Sequence, residues 1–89
     1  MNKEIGRWRR KIDKIDDAIL KLLAERKRAV LEIGKIKKRN KFKIVDRQRE
    51  EEIFGRLRKK VKKFNLNEDY IINLFKEIIK NSRKEEKNG

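Results

Sequence analysis

Residues 22 to 37, "LLAERKRAVLEIGKIK", lie inside a seam of apolar side chains spaced alternately three and four residues apart. The seam runs Ile5, Trp8, Ile12, Ile15, Ile19, Leu22, then position 26, then Ala29, Ile33 and Ile36. Spacing of this kind keeps one stripe of an α-helix apolar over many turns. Position 26 is Arg26, an always-charged guanidinium in a stripe otherwise suited to a dry interface. Burying a guanidinium without partners is costly, so a helix keeps one there for pairing, for register or for a ligand.

Asn2 is a suitable N-cap, and the pattern continues to about Arg39 with no proline to break it. That predicts one helix over about 3–39, roughly 54 Å long at 1.5 Å per residue. A compact globule of this length has a radius of gyration of only about 12 Å, so the helix must project beyond its own domain. Its apolar seam then needs another chain to cover it, and an interlocked helical homodimer is expected. The stretch "NKFKIV", 40–45, lacks helical periodicity and reads as the body of a loop over 40–46, where Asp46 can cap a second helix over about 47–64. That helix carries Ile53, Phe54, Leu57, Val61 and Phe64 on one face. After "NLNEDY", Asn67 caps a third helix over about 68–86, with Glu68 and Asp69 in its first turn and Ile71, Leu74, Phe75, Ile78 and Ile79 as its apolar stripe. The final "RKEEKNG" is expected to fray. With no internal repeat or linker, residues 1–89 read as a single all-α domain of three helices per chain.

Composition narrows the chemistry. There is no cysteine and no histidine, which removes disulfides, zinc fingers, thiol nucleophiles and the usual transition-metal ligands. No metal and no organic cofactor is expected. At 89 residues a single core is marginal without help, and a partner chain is the kind of help that remains. Uncharged runs are too short for a membrane span or a signal peptide, so no membrane partner is expected and the reading is a soluble, cytoplasmic protein. The net charge of +14 attracts polyanions and small anions alike. Few aromatics and no recognised binding motif argue against a nucleic-acid partner, since base-stacking platforms need exposed rings. The alternative reading of the charge is that Lys and Glu simply solvate helix exteriors.

Several polar residues stand where apolar ones would be expected. Lys37 follows Arg26 by eleven residues, about three turns, so it lies on the same face about 16 Å further along the axis. Two long basic side chains reaching toward each other would bracket a small anion, whereas a register-setting pair between helices would use Arg26 alone. Ala29, Ile33 and Gly34 keep the wall low between them, and close helix packing would explain Gly34 equally well. Arg49 and Glu50 fall in the first turn of helix two, near amides that bind anions, although a surface capping network looks the same. In helix three Ser82 and Glu86 extend the apolar stripe, either as site residues or as a small packing residue and a solvated end.

Taken together and in order, "RRKIDKIDDAILKLLAERKRAVLEIGKIK" in helix one, "VDRQREEEI" opening helix two and "YIINLFKEIIKNS" in helix three resemble the all-helical chorismate mutase family, the AroQ class. The resemblance spans roughly residues 8 to 86 without a gap. It implies an intertwined helical homodimer with shared active sites, converting the small-molecule substrate chorismate to prephenate on the way to phenylalanine and tyrosine, with no cofactor. It also implies roles. Arg9 of the partner subunit would cross to a substrate carboxylate, which fits its place seventeen residues, about 25 Å, before Arg26 on one helix. Arg26 would bind a carboxylate from the home subunit, and Lys37 would contact a carboxylate and the ether oxygen. Asp46, Arg49 and Glu50 would arrange the substrate hydroxyl, Asp46 mainly through its backbone. Ser82 would bind a carboxylate, and Ile33 would form an apolar wall.

Glu86 departs from the commoner pattern. Many family members carry glutamine there, whose amide donates to the ether oxygen, and an ionised glutamate presents only acceptors. The resemblance therefore implies catalysis by Lys37 together with a protonated Glu86. Isochorismate pyruvate-lyases share the fold and the type of pocket; the full basic set with Glu50 favours the mutase. A purely structural coiled-coil dimer would leave Arg26, Lys37 and Ser82 unexplained.

Overall fold

A computed structural model describes residues 2–89 as three α-helices, α1 (Lys3–Asn40), α2 (Arg47–Lys63) and α3 (Glu68–Asn88), with no strand among the described residues. Each helix opens on a side chain that satisfies an otherwise orphaned amide. Asn2 Oδ1 accepts from the Glu4 N–H at 2.7 Å, Asp46 Oδ1 from the Arg49 N–H at 3.0 Å, and Asn67 Oδ1 from the Tyr70 N–H at 2.8 Å. The first two helices also close alike. Lys41 and Asn65 take left-handed backbone, with φ of 57° and 55°, and the next amide reaches back to a carbonyl in the last turn: Phe42 N–H to Lys37 O at 2.8 Å and Leu66 N–H to Val61 O at 2.9 Å. This is the Schellman arrangement, built here without glycine.

α2 and α3 form an antiparallel hairpin around Ile53, Leu57 and Ile79, with Phe54, Ile71, Ile72 and Phe75 packed against them. α1 then lies on α3 and does not approach α2, so α3 is the middle element. The stripe of α1 that meets α3 contains Val30 and Gly34, the two buried residues of that helix. The neighbouring seam positions behave otherwise: Ile33 and Ile36 remain 47% and 43% exposed. A helix on one side of α1 covers only one stripe, and in this chain that stripe is offset from the long seam.

The first half of α1 extends past the rest of the chain, exposing Ile5, Trp8, Ile12, Ile15, Ile19 and Leu22. The molecule measures 57 × 26 × 16 Å, with a radius of gyration of 16.7 Å. A compact chain of this length would give about 12 Å. No helix among the described residues is long and apolar enough to cross a membrane.

The C-terminal end differs from the sequence expectation. α3 continues to Asn88, and Glu86 is buried instead of solvated on a frayed turn. The reason is that α1 holds this turn: Lys38 Nζ donates to the Gly89 carbonyl, Lys27 Nζ lies 4.0 Å from Glu85 Oε2, and Glu86 is paired with Lys37. Phe64 also differs, since it caps α2 and is 62% exposed, whereas Ile53, Leu57 and Val61 of the same stripe are buried.

Candidate active site

Two cations three turns apart on α1 converge on residues one turn apart on α3. Arg26 Nη1 donates to Ser82 Oγ, and Ser82 Oγ in turn donates to the Ile78 carbonyl at 2.9 Å, so the hydroxyl is held from both sides. Lys37 Nζ lies 2.6 Å from Glu86 Oε1 and donates to the Ile44 carbonyl at 2.8 Å. The backbone carbonyl of Lys37 also accepts the Phe42 amide, so the loop after α1 folds over this lysine and fixes it at both ends.

The Lys37–Glu86 pair is nearly dry, its side chains 16% and 11% exposed. By distance it is an ion pair. The angle does not make a hydrogen bond, and among the described residues Glu86 Oε1 is the buried side-chain atom left without a hydrogen-bond partner. A buried oxygen in this state retains its capacity to take part in a further hydrogen bond.

Gly34 explains how α3 comes so close. A Cβ built there would fall 2.9 Å from both Cα and O of Glu86, inside any normal contact. Its backbone is ordinary helix, so glycine is required for approach and not for an unusual φ. Of the two roles open at this position, helix packing is the one observed. Ala would gain about 1 kcal/mol of helix propensity but face about 1–3 kcal/mol of overpacking against rigid backbone. Gly34→Ala is therefore expected to lower the melting midpoint by about 5 °C and turnover about tenfold, read by thermal unfolding at fixed concentration and by steady-state rates. A stabilised variant would show that the contact yields.

On α2, Glu50 is bound from α3. Arg83 Nε donates to Glu50 Oε2 at 2.9 Å and Arg83 Nη2 donates to Glu50 Oε1, a two-point clamp. The hydrogen bond to Glu50 raises the Arg83 pKa further above its ordinary value, and the carboxylate's charge acts in the same direction. Arg83 did not stand out in the sequence. A signal existed, because Glu50 and Arg83 are nearly equidistant from the turn at Asn65–Leu66, and an antiparallel hairpin brings such positions together.

The other candidates are less gathered. Asp46 caps α2, and Arg49 is turned to the surface, its side chain 56% exposed and 3.9 Å from Glu52. Ile33 is half-exposed, one position beside the stripe that meets α3. Arg9 lies on the projecting half of α1, seventeen residues before Arg26, about 25 Å along the axis, and is not brought to Arg26 within one chain. A groove of about 580 Å³ between α1 and α3 has Arg26 and Ser82 on its wall with Leu23, Lys27, Leu74 and Ile78, while Lys37, Glu86 and Glu50 stand outside it. Arg26 and Lys37 thus meet α3 one turn apart, no groove of this chain encloses both, and Arg9 and Arg49 lie away from them.

The arrangement offers fixed cations, a hydroxyl and two carboxylates, with no histidine or cysteine. It can orient and polarise an anionic substrate without supplying a strong nucleophile. Comparison with known proteins gives the same direction. Residues 8–87 match the family described as chorismate mutase type II. A chorismate mutase of Methanocaldococcus jannaschii is 36% identical over 83 residues, covering 93% of this chain and 84% of that protein. A bifunctional chorismate mutase/prephenate dehydratase of Buchnera aphidicola subsp. Acyrthosiphon pisum is 43% identical over 75 residues, and one of Escherichia coli (strain K12) is 38% identical over 74. These alignments cover 84% and 83% of this chain but only 20% and 19% of the two bifunctional proteins.

Proposed function

The chain belongs to the chorismate mutase type II family, and on that footing we propose that it rearranges chorismate to prephenate by holding the substrate in its reactive shape and stabilising charge on the breaking ether bond. The reaction is an intramolecular [3,3] shift, so no nucleophile, metal or organic cofactor is required. Chorismate is a flexible dicarboxylate that reacts from a compact diaxial conformer, and holding that conformer removes part of the entropic barrier. As C–O cleavage runs ahead of C–C formation, negative charge develops on the ether oxygen. A fixed donor there favours the transition state over the ground state.

The observation that carries this reading is the convergence of Arg26–Ser82 and Lys37–Glu86 on a single turn of α3. Arg26 and Ser82 hold one carboxylate. Lys37, already fixed by the Ile44 carbonyl, reaches a carboxylate and the ether oxygen. Glu86 contributes the second donor to that oxygen when it carries a proton. Glu50, Arg49 and the backbone at Asp46 arrange the hydroxyl, with the flexible Arg49 side chain turning inward, and Ile33 forms an apolar wall.

The remaining carboxylate requires Arg9 of the partner subunit, and the working unit is a homodimer that shares its sites. Surface area supports this. The chain exposes 7988 Å², whereas a compact protein of 10.9 kDa would expose about 5,600 Å². The excess is of the size that obligate dimers bury. The projecting apolar half of α1 is the surface a second copy would cover. A place at the branch toward phenylalanine and tyrosine fits the company of prephenate dehydratase in the bifunctional relatives.

The direct test follows the loss of chorismate absorbance with purified protein and identifies prephenate as product; no consumption at neutral or mildly acidic pH overturns the assignment. The donor role of Glu86 is tested by Glu86→Gln, which places a permanent amide donor at the same position. The variant is expected to turn over chorismate at least as fast as wild type at neutral pH. A Glu86→Gln protein tenfold slower than wild type would remove Glu86 from the donor role.

A further inference from the structure

Glu50 meets α3 at the residue next to Ser82, and what it meets there is Arg83. We infer that Arg83 is a positioning residue for the rearrangement, acting through Glu50: its guanidinium holds the Glu50 carboxylate in one orientation and cancels its charge where a dianionic substrate must bind. The inference rests on the reading of Glu50 as a residue that faces substrate.

Three features support it. The contact is two-pointed, with Nε on Oε2 and Nη2 on Oε1, and a planar fork fixes a carboxylate's plane as a single ammonium cannot. The carboxylate is well shielded, its side chain 18% exposed against 38% for Arg83, so the acid is the inner member and the arginine closes it from outside. The pair also ties the first turn of α2 to the turn of α3 that carries Ser82 and Glu86, so groups from two helices are held in one frame.

The charge argument is independent of orientation. Arg26 and Lys37 attract a dicarboxylate, and a Glu50 that faces this substrate would repel it if uncompensated. A carboxylate has about four lone-pair sites, of which the clamp uses two. Glu50 can therefore stay neutralised by Arg83 and still accept a hydrogen bond from the substrate hydroxyl. Arg83 touches no reacting atom in this scheme.

The experiment is a double-mutant cycle of Arg83→Met and Glu50→Gln, with Arg83→Lys as a third variant, in kcat and KM for chorismate at 25 °C. Arg83→Met is expected to lower kcat/KM about tenfold in the wild-type background and less than twofold when Glu50 is already Gln. Arg83→Lys restores the charge but not the fork, so it is expected to recover KM while kcat stays depressed. A merely structural Arg83 would change the melting midpoint and leave the KM-against-kcat split and the cycle unaffected. Equal losses in both backgrounds, or no loss in an Arg83→Met protein whose helical circular dichroism is intact, overturn the proposal alone. A Glu50→Gln protein as active as wild type overturns the reading of Glu50 as well, and a wild-type protein inert toward chorismate overturns the whole assignment. Should Arg83→Met fail to fold, Arg83→Lys with unchanged kcat overturns the orientation claim by itself.

Discussion

Arg26→Ala is expected to reduce kcat/KM about a thousandfold, the scale of removing one charge-assisted contact that holds the substrate in its reactive geometry. The fold should barely register the change. Arg26 is half-buried, and Ser82, its partner, keeps its own bond to the Ile78 carbonyl at 2.9 Å. The stability cost is that of one weakened acceptor, about 1 kcal/mol. Sedimentation of the variant should match wild type, because the dimer reading rests on the apolar half of α1 and not on this residue. Arg26→Lys restores charge without the planar fork and should recover only part of the loss. Turnover of Arg26→Ala within fivefold of wild type would return Arg26 to the register-setting role that the sequence alone permits. A changed oligomeric state with little change in rate would do the same.

Lys37→Met is expected to cost as much in turnover, about a thousandfold, and unlike Arg26→Ala it should also destabilise the protein. The variant leaves Glu86 shielded and without its cation, the side chains of the pair being 11% and 16% exposed. Removing one partner from a fully buried pair costs about 3–5 kcal/mol, and the residual exposure here reduces that to about 2 kcal/mol. For a chain of this size that corresponds to a fall of roughly 10 °C in the melting midpoint. The double variant Lys37→Met with Glu86→Gln separates the two effects. It removes the stranded charge, so most of the lost stability should return while turnover stays low. A double variant no more stable than Lys37→Met would show that the pair does not behave as a shielded ion pair, and a Lys37→Met protein with near-normal turnover would remove Lys37 from the mechanism.

The three helices and their order were legible because their signals are local. Asn2, Asp46 and Asn67 each precede a helical stretch, and each side chain accepts an amide two or three residues on, within reach of any chain that adopts the helix. Arg26, Lys37, Ser82 and Glu86 stand out one by one as polar groups on apolar faces, whereas Arg9, Asp46 and Ile33 are singled out only by the family resemblance. Their grouping was not legible. Arg26 and Ser82 are 56 residues apart, and Glu50 and Arg83 are 33 apart, separations at which spacing carries no angular information. The end of α3 departs from its composition for the same reason. "RKEEKNG" looks solvated by composition, and only Lys27, Lys37 and Lys38 arriving from α1 make it an ordered turn.

A long first helix, its exposed apolar N-terminal half and the cations Arg26 and Lys37 on its second half follow from the residue order, because periodicity, capping and charge act within a few residues. The tertiary structure decided which stripe of α1 is covered, Val30 and Gly34 ahead of Ala29, Ile33 and Ile36. It also decided that Arg83 closes on Glu50. The first outcome depends on how near α3 can come to α1, a distance set at Gly34 by the room that a missing Cβ leaves for the backbone of Glu86, and the second on the antiparallel pairing of α2 with α3.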